Sequence, residues 1–322
     1  MLLKPVAINT KWYKKLRWVL PILGGVLAVL IAVSLAVGAG VSDWTNIWHH
    51  RIPRTIAAIV AGMGMSVSGL IMQTITNNKY VSPMTAGTLD SARLGILLSM
   101  MIIPLAGFWI QGIFSFVFTL LLTLLFIFFV ERIKVKSAAL IPLIGIIYGS
   151  VIGAVATLIA LQTDGGVQRL STMLMGSFSL TLTGTYEMIL ITIPFVIIAF
   201  VFANWFMLAG MGESASKNLG LNYRLTVIIG LIIVAIISTL VLLVAGLIPF
   251  LGLVIPNLVS IYLGDNIKKS LPVTMFAGGI FLLFCDIISR LLGELSISLT
   301  VGILGAVLFL MLLLIKRRRG EE

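Results

Sequence analysis

The chain is divided along most of its length into apolar runs of about 20 residues, the length a helix needs to cross the hydrocarbon of a bilayer. Ten runs are read, at about 18–38, 52–75, 86–104, 108–130, 138–161, 187–208, 225–246, 249–263, 273–293 and 297–315. A backbone in hydrocarbon must satisfy its own hydrogen bonds, so the pattern predicts an all-α polytopic membrane bundle. Residues 1–322 are read as one transmembrane domain, without long soluble segments. The eighth run is short and is expected to be tilted or partly re-entrant. The first follows Lys11, Lys14, Lys15 and Arg17 and resembles a signal peptide, but it exceeds the usual h-region and is read as a retained helix.

The net charge of +11 could suggest nucleic acid, but its placement argues otherwise. With ten spans and the N-terminus inside, 17 of the 22 lysines and arginines fall on the cytoplasmic side. Arg51, Arg54, Arg169 and Arg290 fall at the outer ends, and Arg93 lies within the third span. The bias predicts cytoplasmic termini and makes the basic balance a topology signal. No nucleic-acid partner is expected.

The stretch GLIPFLGLVIPN, 246–257, is apolar yet carries Gly246, Pro249, Gly252, Pro256 and Asn257. Glycine and proline loosen or break the helical ladder and are tolerated in a membrane where neighbours satisfy the freed groups. The segment is therefore expected inside the bundle, as a packing and gating element beside something that moves or opens. The polar run GDNIKKSLP, 264–272, is read as a turn after it. The second and seventh spans share a glycine-containing apolar character with opposite predicted directions, a weak sign of inverted repeats.

Much familiar chemistry is missing. No G-x-x-x-x-G-K-[ST] loop occurs, which excludes ATP hydrolysis by the P-loop route. The only histidines are the adjacent His49 and His50, and the only cysteine is Cys285, so no metal site and no cofactor are expected. Asp90 and Arg93 stand at i, i+3 and Asp286 and Arg290 at i, i+4, so each pair can neutralise itself along one helix face. The alternative readings are ion or proton sites of a secondary transporter at Asp90 and Asp286, or an intramembrane aspartyl protease dyad. The outer arginines Arg51, Arg54 and Arg290 are either headgroup anchors or docking points for an acidic partner. Between the sixth and seventh spans lies a polar island, 210–222. Its centre, Glu213, Ser214, Ala215, Ser216, Lys217, Asn218 and Leu219, predicts a short helix ended by Gly220. It is either a solvated loop or a helix read by a cytosolic protein.

From the RIPR stretch to the C-terminus, the chain resembles the transmembrane permease subunit of ABC importers for ferric siderophores, haem and vitamin B12. The resemblance is carried by RIPRTIAAIVAGMGMSVSGLIMQ, NNKYVSP with Gly87, ESASKNLGLN, GLIPFLGLVIPN, GDNIKKSLP and DIISR, in order and at family spacing. It implies a non-catalytic permease in a bacterial cytoplasmic membrane that pairs with a second permease subunit, identical or related. It also implies two cytosolic ATPase subunits and an extracytoplasmic binding protein that delivers the ligand. ESASKNLGLN would be the helix that couples to the ATPase, and Arg51, Arg54 and Arg290 would meet acidic residues of the binding protein. Where the family often has Pro-His and then an arginine, this chain has Pro256-Asn257 and then Ser260. Its NNKYVSPMTAGT replaces the usual Asn-Pro-Leu-Ala turn. Both variants resemble the branch that carries ferric siderophores.

Overall fold

The computed structural model describes residues 11–37, 44–103, 105–133, 140–179, 181 and 186–318. Lys4, Lys134, Lys136 and Arg319, which contribute to the charge bias, lie outside them. Every regular element among the described residues is helical. In chain order these are α1 (Lys11–Ala36), α2 (Trp44–Asn46), a wide π turn (Ile47–Arg51), α3 (Ile52–Ile75), α4 (Thr88–Ile102), α5 (Phe108–Ile133) and α6 (Leu140–Gln162). Next come α7 (Gly166–Met175), α8 (Glu187–Leu190), α9 (Thr192–Ala209), α10 (Glu213–Asn218) and α11 (Tyr223–Ala245). The last are α12 (Leu251–Leu263), α13 (Ile267–Leu291) and α14 (Ile297–Arg318).

Among the described residues, eight helical stretches are long and apolar enough to cross a membrane. The other two expected runs, the third and the eighth, are α4 with 15 residues and α12 with 13. At 1.5 Å per residue these reach only about 22 and 20 Å. The expected turn at 264–272 is shorter than read. Asn266 caps α13 by accepting a hydrogen bond from the Lys269 N–H, and the helix already runs from Ile267. Its early start is the N-cap chemistry of an asparagine ahead of an apolar run.

The bundle is organised around α3, which packs on α9, α11, α12 and α13 and is buried on nearly every face. Its apolar length cannot drive this association, because lipid is as apolar as leucine; close backbone approach does. A Cβ at Gly62 would strike the Gly278 carbonyl of α13, and one at Gly69 would strike the Gly252 carbonyl of α12. Around α3, Met65, Ile71, Met72, Leu231, Ile237, Leu282 and Leu283 form the main core. A smaller core of Leu94, Leu97, Ile152, Ala156 and Leu170 joins α4, α6 and α7. The outer helices turn large apolar residues outward, for example Leu121 and Phe128 on α5 and Val151 and Leu158 on α6. That is the surface a lipid-facing helix needs.

Candidate functional site

The bundle has two chemically different ends. One end gathers the N-terminus of α3, the C-termini of α1 and α13, and α7. At its centre Asp286, with a side chain only 1% exposed, accepts hydrogen bonds from two arginines. Arg54 Nε and Nη2 approach Oδ1 at 3.0 and 2.9 Å, and Arg290 Nε donates to Oδ2 at 2.9 Å. Arg290 Nη2 also pairs with Oδ2. The i, i+4 pairing expected from sequence is therefore present, and Arg54, 232 residues away in sequence, completes it. On its outer side Arg54 Nη1 reaches Glu294 Oε1 at 3.3 Å, where Glu294 is 44% exposed.

Arg51 and Arg290 have a second task. The last turn of α1 leaves carbonyls without intrahelical partners, and a buried helix end needs them satisfied. Arg51 Nη1 donates to the carbonyls of Leu35 at 2.9 Å and Ala36 at 3.3 Å. Arg290 Nη1 donates to those of Ser34 at 2.8 Å and Val37 at 3.1 Å, and its Nη2 to Ser34 Oγ at 3.0 Å. Two cations thus cap α1 at the end where its dipole favours positive charge. The three arginines, with His50, Phe178, Ser179 and Glu294, line a polar pocket of about 130 Å³. The sequence groups all three at one end of the bundle; the capping of α1 by Arg51 and Arg290 left no local signature.

Asp90 makes none of the contacts of this network. It sits in the first turn of α4, where the helix dipole favours a carboxylate, and it pairs with Arg93. The pair lies against a glycine face of α6: a Cβ at Gly149 would come 2.6 Å from Asp90 Oδ2 and one at Gly153 3.4 Å from Oδ1. Each carboxylate therefore has its own cation and its own helix neighbours. The two aspartates do not assemble into a shared dyad.

Between the ends runs the 246–257 segment. Gly246 takes φ +75° where α11 stops, and Phe250 takes φ +60° where α12 begins. The intervening backbone is not helical, which is permitted at membrane depth only where protein supplies partners. The Leu247 N–H donates to the Met173 carbonyl at 2.8 Å, the Ser177 N–H to that of Ala245 at 3.0 Å, and Ser298 Oγ bonds the Leu247 carbonyl. Within α12, Pro256 has no N–H for the carbonyl four residues back, which is Gly252. Gln73 Nε2 of α3 takes that place, at 3.2 Å from the Gly252 carbonyl and 3.3 Å from that of Leu253. Asn257 Nδ2 donates to the Lys79 carbonyl at 2.6 Å and to Leu253 at 2.8 Å. Gly252, Pro256 and Asn257 are all buried.

These contacts tie α12 to the loop that follows α3, at the opposite end of the bundle. There Lys79 Nζ meets Ser260 Oγ at 3.0 Å and the exposed Asp265 at 2.8 Å. The same end carries α10. Its Schellman-type close, Leu221 N–H to the Ser216 carbonyl at 3.0 Å with Gly220 at φ +77°, is the glycine stop expected from sequence. Ser216 is buried, with Oγ 2.7 Å from the Leu208 carbonyl, so α10 is fixed to the end of α9. Glu213, Ser214, Lys217, Asn218 and Leu219 face outward, and Leu219 is 59% exposed. Lys217, at 2.8 Å, holds the Glu213 carboxyl below its ordinary pKa by hydrogen bonding and charge.

Comparison with known proteins agrees with this architecture. A petrobactin import system permease protein of Bacillus subtilis is 47% identical over 305 residues, covering 90% of this chain and 96% of its own. A ferric-anguibactin transport system permease protein of Vibrio anguillarum is 37% identical, with 88% and 95% coverage. Among solved structures, a metal-chelate type ABC transporter in an inward-facing conformation shares the fold with a TM-score of 0.79 at 23% identity, covering 91% of this chain and 98% of that one. The model of the FecCD transport family matches residues 22–316. The chain belongs to the FecCD transport family and is a non-catalytic, multi-pass permease subunit of an ABC importer.

Proposed function

We propose that the chain forms, with a second identical or related permease subunit, the membrane channel of an importer that takes up a ferric siderophore across a bacterial cytoplasmic membrane. Two cytosolic ATPases sit at the α10 end and an extracytoplasmic binding protein docks at the arginine end. Both termini are then cytoplasmic, in line with the positive-inside bias. The observation that carries this reading is α10: a six-residue helix fixed by the buried Ser216 and the Gly220 stop, yet presenting an exposed leucine to water. A solvated loop needs neither feature, whereas a rigid peg for a partner needs both.

The cargo reading rests on relatives named for petrobactin and ferric anguibactin and on the Asn257–Ser260 departure from the family's Pro-His pattern. For docking, Arg54 offers the accessible charge of the arginine pocket, and Arg51 and Arg290 hold the platform by capping α1. An acidic side chain of the binding protein would compete with Glu294 for Arg54, a salt-sensitive contact.

The test is uncoupling. Glycine costs about 1 kcal/mol per helical position, so Ala215→Gly with Leu219→Gly should loosen α10 without disturbing the membrane helices. Uptake of iron-loaded chelate should fall while insertion and binding-protein affinity persist. Normal uptake with normal ATPase stimulation would remove the assignment of α10.

A further inference from the structure

Five arginines lie at least partly buried among the described residues, and four have their charge or donors answered. Arg54 and Arg290 share Asp286, Arg93 pairs with Asp90, and Arg51 has the α1 carbonyls. Arg169 on α7 is different. Its one hydrogen bond runs from Nη2 to the neutral Gln111 Oε1 at 3.1 Å. Among the described residues, no carboxylate lies within ion-pair distance of it, and its buried Nε, like that of the ion-paired Arg93, has no acceptor. Burial depresses its guanidinium pKa through desolvation alone, with no neighbouring anion to offset it. A partly buried cation without an anion is costly in proportion to how far it is withdrawn from water.

Arg169 lines a cavity of about 210 Å³ formed by Phe108, α7, Ser177, Thr181 and the end of α11. A second buried polar atom without a partner, Thr181 Oγ1, lies on the same cavity. Thr172 and Ser177 also line it, with their hydroxyls bonded to the Gln168 carbonyl and Ser179 Oγ, and Met173, Leu242 and Leu243 supply apolar surface. Thr181 also lines the arginine pocket, so the two spaces adjoin at one end of the bundle. A guanidinium with free donors, an unpartnered hydroxyl and an apolar floor match one oxyanion-bearing ring: a carboxylate or catecholate arm with its flat face on the apolar side. The volume admits one such arm and not a whole chelate.

We propose that Arg169 and Thr181 form an anion subsite that takes one carboxylate or catecholate arm of the cargo as it leaves the binding protein. This rests on the siderophore reading above. It makes Arg169 a determinant of preference for anionic over neutral chelates, separate from the docking arginines.

The permease–ATPase complex in lipid nanodiscs would be titrated with 2,3-dihydroxybenzoate and, separately, with the uncharged 2,3-dihydroxybenzamide, followed by saturation-transfer NMR. The wild type should prefer the carboxylate by about tenfold, the ratio of one charge-assisted hydrogen bond. Arg169→Gln should erase that preference, Arg169→Lys should retain part of it, and Thr181→Val should weaken carboxylate binding alone. If Arg169→Gln does not assemble, the lysine and valine variants decide by the same criterion. Equal affinity of the wild type for both probes, or a preference that survives in every variant, would overturn the subsite. Uptake of a ferric tris-catecholate and a neutral ferric tris-hydroxamate separates the two readings. A wild type that imports neither refutes the cargo assignment, while the probe titration still rules on the subsite.

Discussion

The two ends of this bundle hold themselves together with opposite kinds of electrostatics. At the arginine end, Asp286 is all but inaccessible and joins α1, α3 and α13 through Arg54 and Arg290. At the α10 end the ion pairs are wet: Lys79 and Asp265 are 42% and 68% exposed, and Lys217 and Glu213 are 63% and 47% exposed. Buried pairs are strongly destabilising to break by removing one partner, whereas exposed pairs contribute little. One end is therefore built as a fixed platform, and the other holds exposed charged contacts that exchange readily with water. Under the proposed function, with the binding protein at the arginine end and the ATPases at the α10 end, this asymmetry would give a rigid receiving face and an adaptable driven one.

The sharpest way to break the contrast is Asp286→Asn. It leaves Arg54 and Arg290 buried without their shared carboxylate, and a loss of about 3–5 kcal/mol is expected. Thermal unfolding of the purified subunit in detergent should show it, with α1 released first. Next comes Gln73→Leu, which orphans the Gly252 carbonyl that Pro256 cannot serve. A buried unsatisfied acceptor costs about 1–3 kcal/mol. Hydrogen exchange should rise within α12 and leave the arginine end unchanged; an unaltered α12 would mean that water already serves that carbonyl.

Smaller still is Asp265→Ala, worth less than about 1 kcal/mol in stability because the pair is exposed. The account expects its effect in transport rate instead, since Lys79 and Asn257 join the loop after α3 to α12. The smallest effect concerns pH. The Glu213 carboxyl is depressed in the folded state, so its contribution to α10 is complete above the unfolded pKa and lost as pH falls through the folded value. Below the ordinary carboxylate range α10 should fray locally, seen by exchange of its amides, with no shift in global unfolding.

Much of this was legible in the chain. Apolar run length located a helix at each of the ten expected runs, and eight of these helices are long enough to cross hydrocarbon, whereas α4 and α12 are not. Gly220 marked the end of α10, and the spacing of Asp286 and Arg290 gave their pairing. What stayed hidden depends on tertiary approach. Nothing near Arg54 points to Asp286, and Gln73 carries no local sign that it serves a proline on another helix. Gly145, Gly149 and Gly153 carry no local sign that the Thr85 carbonyl and the Asp90–Arg93 pair lie against them. The structure gathers Arg51, Arg54 and Arg290 at one end of the bundle, but the capping of α1 by Arg51 and Arg290 follows from where that helix stops, 15 residues before Arg51 and more than 250 before Arg290.

The central claim is that this chain moves its cargo with energy supplied from outside itself. Uptake of iron-55 chelate should be measured in cells in which the Walker lysine of the partner ATPase is replaced, with the permease and binding protein intact. The account predicts that uptake is lost and that collapsing the proton gradient at constant ATP has no effect on the wild type. Uptake that persists in the ATPase variant and disappears with the proton gradient would contradict it, and would return Asp90 and Asp286 to the role of coupling-ion sites.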